Sequence, residues 1–171
     1  RIRAEAMRDF GPSMSPMNAF LLLQGIETLS LRMDRHASNT AEMLDYLGNH
    51  DRVSWVSHPS LPSHSSHELA KKYLPKGAGS IVSFGVKGGR EAGKAFIENV
   101  ELASHLANVG DAKTLIIHPA TTTHSRIDAE ALVAAGITED MIRLSVGLED
   151  VKDIKADFEN GFRAAKKVAG D

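Results

Sequence analysis

Met141-Ile142-Arg143-Leu144-Ser145-Val146-Gly147-Leu148-Glu149-Asp150 is the stretch on which the fold turns. Ile142, Leu144 and Val146 alternate with Arg143 and Ser145, the period of a β-strand with one apolar face. Gly147 ends the alternation, and Glu149 and Asp150 put negative charge where a following helix would begin. That helix is written in Val151, Ile154, Phe158, Phe162, Ala165 and Val168, which recur at helical spacing, with Lys166 and Lys167 at its far end. A strand that delivers the chain into an amphipathic helix is the unit from which a helix-covered sheet is built.

Upstream, Ser80 to Val86 is a strand bounded by glycines, and Arg52 to Ser57 and Thr114 to Ile117 are shorter ones. Leu106 opens a further short strand. Helices are predicted over 67–73, over 89–102 with Ala92, Ala95, Phe96 and Val100 facing inward, and over 128–135 ending at Gly136. Two prolines make 58–64 a loop. Before all of this lies one long helix. Ser15 is its N-cap candidate, Pro16 suits the first helical position, and no further proline interrupts before Gly48-Asn49. Its apolar residues cover almost every side from Ala19 to Leu31 and narrow to one stripe after Arg32. Such a helix is enclosed by protein in its first half and lies on a surface in its second. The plainer alternative is a central core helix. The whole pattern reads as α+β, a small sheet with helices on one face preceded by a long helix, with the boundary drawn at 1–48 and 49–171.

Composition narrows the function classes. The 171 residues are 42% hydrophobic and 25% charged with a net charge of −2, which fits an ordered chain without the basic surface that nucleic acid or a membrane face attracts. No apolar run approaches the length that spans a bilayer. The absence of cysteine removes disulfides, thiolate nucleophiles and Cys-ligated zinc. The expected setting is cytoplasmic. The chain begins at Arg1, which fits either processing or the loss of a preceding segment.

Candidate chemistry is sparse. Of the eight histidines, His64 and His67 lie close together and His118 and His124 flank a Pro-Ala-Thr-Thr-Thr loop, but neither pair has a carboxylate completing a zinc-like spacing. They are read as solvated or capping groups, and no metal is expected. Gly77-Ala78-Gly79 and Gly85-Val86-Lys87-Gly88-Gly89 punctuate strands rather than cradle phosphates. Thr121, Thr122 and Thr123 lack a local base and read as turn hydroxyls. Arg143 is the informative residue. Mid-strand, it faces either solvent or a polar hollow, where its fork of donors would take a carboxylate by two parallel hydrogen bonds.

Three segments carry a resemblance. Ile142 to Asp150 resembles the RLSVGxED segment of the pyridoxal-phosphate enzymes of cysteine and methionine metabolism. Ala107-Asn108-Val109-Gly110-Asp111-Ala112-Lys113-Thr114 through His118-Pro119-Ala120-Thr121-Thr122-Thr123-His124 is similar to their second C-terminal signature, and its NVGDAK form looks most like the O-acetylhomoserine sulfhydrylases. Ser15 to Met33 resembles their inter-domain helix. The resemblance implies the C-terminal domain of a fold-type I enzyme, with 1–48 the end of the large domain plus the long helix. It implies pyridoxal 5'-phosphate held by an upstream domain, because none of the ten lysines, Lys94 and Lys113 among them, lies in the family's cofactor-lysine context. This portion alone is then expected to be inactive, with no catalytic residue of its own.

For the parent enzyme the resemblance implies γ-replacement, forming homocysteine or methionine from O-acetylhomoserine with sulfide or a thiol, in a homotetramer. Arg143 would clamp the substrate α-carboxylate, Asn108 would help where the family often has Ser, Ala107 would contribute backbone, and Thr123 would stand near the cofactor lysine. Glu149 and Asp150 are read as helix N-terminal charges. The alternatives are a cystathionine γ-synthase or methionine γ-lyase fragment, and a non-enzymatic carboxylate-binding domain that would hold an amino acid without cofactor.

Overall fold

The computed structural model describes residues 1–170. A π-helical turn over Ile2–Ala6 passes into α1 (Met7–Phe10), which stops at Gly11 in left-handed geometry with φ 61°. The Ser15 hydroxyl then accepts the Asn18 backbone N–H at 3.2 Å, and Pro16 opens α2 (Pro16–Glu27). The long helix is not continuous. Thr28 leaves helical geometry, and α3 runs from Leu29 to Asn49. The interruption falls where the Arg32 guanidinium donates to the Gly25 carbonyl, an intrusion of a side chain into the backbone ladder that bends helices.

Two compact units result, Arg1–Arg32 and Met33–Asp171. In the first, Phe20, Leu21, Leu22, Leu23, Ile26 and Leu31 are all exposed. The units part inside α3. Met43, Leu44 and Leu47 sit in the core of the second unit, so the one-sided stripe carries that half of the helix with it.

The second unit is a five-stranded sheet in the order β1 (Val53–Ser57), β2 (Ile81–Val86), β5 (Met141–Ser145), β4 (Leu115–Ile117), β3 (Ser104–His105). Every pair is antiparallel except β3 with β4. Val82, Phe84 and Val86 of β2, with Ile142 and Leu144 of β5, point to one face and form the core with α5 (Gly89–Glu98), α7 (Val151–Ala169) and the second half of α3. Phe84, Phe96, Phe158 and Phe162 interlock there with ring centroids 4.7–6.4 Å apart. Gly161 lets α7 approach α5, since a Cβ there would lie 2.7 Å from the Phe96 ring. Two short helices, α4 (His67–Tyr73) and α6 (Ala129–Ala134), lie in the connections.

Two predicted elements end early. The helix expected to reach Leu102 stops at Glu98, because the buried Asp157 carboxylate of α7 accepts the backbone N–H groups of Glu101 at 2.7 Å and Ala103 at 3.0 Å. The strand expected at Leu106 is already over at His105, and Leu106 itself is exposed. Among the described residues no helix is long and apolar enough to cross a membrane.

Candidate carboxylate-binding site

Strand β5 decides where Arg143 stands. Its neighbours Ile142 and Leu144 are fully buried in the core, so the pleat turns Arg143 to the opposite face. Across the ladder it pairs with Ser83 of β2 and Ile117 of β4. The side chain is half-buried, and among the described residues its guanidinium has no hydrogen-bond or ion-pair partner. Arg90 of α5, also half-buried, by contrast holds Glu139 at 3.1 Å and the Ala120 carbonyl at 3.1 Å. A half-buried guanidinium with its fork free is a ready donor site for a carboxylate.

Two loops flank the short β4. The one before it holds Ala107 and Asn108, both exposed. The Asn108 side chain makes only local bonds, accepting Val109 N–H at 2.9 Å and donating to Asp111 at 3.4 Å. The loop after β4 begins with the 3-10 turn Pro119–Thr121 and reaches the exposed Thr123, whose hydroxyl bonds the His124 ring at 2.8 Å. No hydrogen bond joins Arg143, Asn108 and Thr123 to one another. Arg143 lies opposite Ile117, the last residue of β4 and the one next to the loop of Thr123, whereas the loop of Asn108 enters β4 at its Leu115 end, opposite Ser145.

The second loop is anchored by His118, which is fully buried. Its Nε2 faces the Glu139 carbonyl at 2.8 Å and its Nδ1 the Thr121 hydroxyl at 2.8 Å. A carbonyl only accepts, which assigns the proton to Nε2. Burial holds the His118 pKa below 6.5, partly offset by the hydrogen bond to Glu139. The Thr122 hydroxyl donates to the His118 carbonyl at 2.8 Å, so these threonines do serve as turn hydroxyls.

Sequence reasoning missed the bonds that hold the turn after β5. Asp150 is the N-cap of α7, accepting Lys152 N–H at 2.9 Å. Glu149 does something else. Its carboxylate accepts the Thr114 backbone N–H at 2.7 Å and the Thr114 hydroxyl at 2.8 Å, and that hydroxyl accepts Gly147 N–H at 2.9 Å. From α3, His36 donates to the Val146 carbonyl at 2.7 Å and Asn39 to those of Gly147 and Glu149 at 3.0 and 2.9 Å. The one available signal was a second acid beside the cap, where a single acid suffices.

Nine of the ten lysines are exposed, and the remaining one, Lys155, is paired with Glu42 at 2.8 Å. Among the described residues no group of three His, Asp or Glu side chains converges to hold a metal.

Comparison with known proteins places this arrangement. The chain is 51% identical over 163 residues to the homocysteine synthase of Schizosaccharomyces pombe, covering 95% of this chain and 38% of that protein. It is 52% identical over 171 residues to the homocysteine/cysteine synthase of Kluyveromyces lactis, again with 38% of the relative covered. Among solved structures, an O-acetylhomoserine (thiol)-lyase of Campylobacter jejuni superposes with a TM-score of 0.85 at 41% identity, over 95% of this chain and 39% of that one. A cystathionine γ-synthase of Xanthomonas oryzae gives 0.82 at 36% identity, over 93% and 41%. The chain thus spans about two-fifths of the relatives it matches. Residues 2–163 match the family of Cys/Met metabolism PLP-dependent enzymes, and the chain belongs to that family.

Proposed function

We propose that this chain is the substrate-carboxylate portion of a γ-replacement enzyme that forms homocysteine from O-acetylhomoserine and sulfide, or methionine with a thiol. The observation that carries the reading is the unpaired, half-buried Arg143 guanidinium on the face of β5 away from the core. Its fork takes the substrate α-carboxylate by two parallel hydrogen bonds, which fixes the rotation about Cα and so the direction in which the Cα proton leaves. Asn108 donates a further bond to the same carboxylate, the Ala107 backbone lines its approach, and Thr123 stands on the lysine side of the substrate.

Pyridoxal 5'-phosphate, when bound, supplies the electron sink for this chemistry. No residue of this chain is assigned to hold it. The cofactor and its lysine belong to an upstream domain, which also covers the apolar sides of α2. The assembled enzyme works in the cytoplasm as a homotetramer. Identity near one half to homocysteine synthases, against 36% to the cystathionine γ-synthase, supports sulfide or a thiol over cysteine as the acceptor.

The test is Arg143→Ala in the full-length enzyme that carries this segment. Loss of a charge-assisted pair is expected to lower kcat/KM for O-acetylhomoserine by the equivalent of about 2–4 kcal/mol. An unchanged kcat/KM refutes the clamp. Measuring sulfide incorporation, cystathionine formation and α-keto acid release in the same enzyme separates the sulfhydrylase from the γ-synthase and the γ-lyase.

A further inference from the structure

Glu149 stands four residues past the end of β5, the strand that carries Arg143, yet its carboxylate is turned back onto Thr114, the residue just before β4. The contact is tight and closed. Thr114 is fully buried, its hydroxyl both donates to Glu149 and accepts from Gly147 N–H, and Leu148 N–H donates to the Ala112 carbonyl at 2.9 Å. Gly147 leaves no slack. A Cβ there would lie 2.2 Å from the Glu149 carboxylate and 2.3 Å from Thr114 N. On the other side, Asn39 holds the carbonyls of Gly147 and Glu149, so the turn is gripped from α3 as well. The loop bearing Asn108 is therefore stitched at its Ala112–Thr114 end to the turn that follows Arg143.

We propose that Glu149 is a positioning residue for substrate binding: by bracing Thr114 it fixes the Asn108 loop against the strand of Arg143. The inference rests on the reading of Arg143 and Asn108 as carboxylate ligands. Glu149 touches no substrate. It acts by preorganisation, since a loop held at one anchored end loses less freedom when Asn108 engages a ligand. A carboxylate suits the task because it accepts from a backbone N–H and a hydroxyl of one residue at once.

The experiment is steady-state kinetics and amide hydrogen exchange on the full-length enzyme with Glu149→Ala, Glu149→Gln, Thr114→Val, Asp150→Ala and Arg143→Ala. Glu149→Ala is expected to raise KM for O-acetylhomoserine about tenfold with kcat little changed. Exchange at the amides of Val109 to Ala112 should quicken in the same variant. Glu149→Gln, which keeps an acceptor for Thr114 N–H, should recover part of the loss. Thr114→Val should move KM in the same direction, which keeps the question open to test if Glu149→Ala does not fold. Asp150→Ala, which removes only the cap of α7, should lower Tm and leave KM alone. A Glu149→Ala enzyme whose Tm falls while KM holds would reduce Glu149 to a structural brace and overturn the inference. KM raised by Arg143→Ala but untouched by Glu149→Ala sinks this inference alone, whereas KM untouched by Arg143→Ala removes the carboxylate site and this inference together.

Discussion

At the scale of single residues, two buried histidines, His118 and His58, are expected to make the unit sensitive to acid. His118 and His58 are both held below 6.5, chiefly by burial, so each is neutral in the folded chain where the unfolded chain would begin to take up protons. The unfolded state then binds more protons, and stability falls as pH drops below 6.5 toward the folded-state pKa values; above 6.5 the contribution is fully present. Urea unfolding at about pH 7.5 and about pH 5 should show lower stability at the acid end, with a shallower dependence in His118→Gln. An equally steep dependence in that variant would assign the effect elsewhere. The burial of His118 was not visible in the spacing of His118 and His124. It arises because Gly93 on α5 leaves the ring room, a Cβ there standing 2.8 Å from Nε2.

Elements show where local patterning sufficed and where it did not. The strands β2 and β5 and the helix α7 are legible because alternation and helical spacing each dictate one buried face. The end of α5 was not legible, since the group that stops it is Asp157, far along the chain. The break at Thr28 was likewise not legible, since neither proline nor glycine stands at that position. The packing of α7 on α5 and β2 is concentrated in the aromatic cluster, so Phe158→Ala is expected to cost about 3–5 kcal/mol by chemical denaturation. Phe158 is fully buried with its ring 5.3 Å from that of Phe96, a site with little room to collapse after truncation. A loss below about 1 kcal/mol would mean that the cluster contributes less than its burial implies.

For the whole molecule, the core is drawn entirely from Met43 onward. A chain starting at Met33 is therefore expected to unfold cooperatively at the Tm of the longer one, with residues 1–32 the segment cleaved first by a protease of broad specificity. A truncated chain that fails to fold would show that the first unit supports the second. The exposed Phe20, Leu21, Leu22 and Leu23 follow the all-round apolar pattern read from α2, a pattern that asks for surrounding protein. What the sequence by itself determined is the α+β architecture, the family, and Arg143 on the face of a strand opposite the core. These rest on periodicity and on contiguous motifs, and both are local. The bracing of the Asn108 loop by Glu149, the hold of His36 and Asn39 on the turn after β5, and the freedom of the Arg143 guanidinium were decided only in three dimensions. Each depends on which polar groups from distant segments meet away from water, and no spacing along the chain records that.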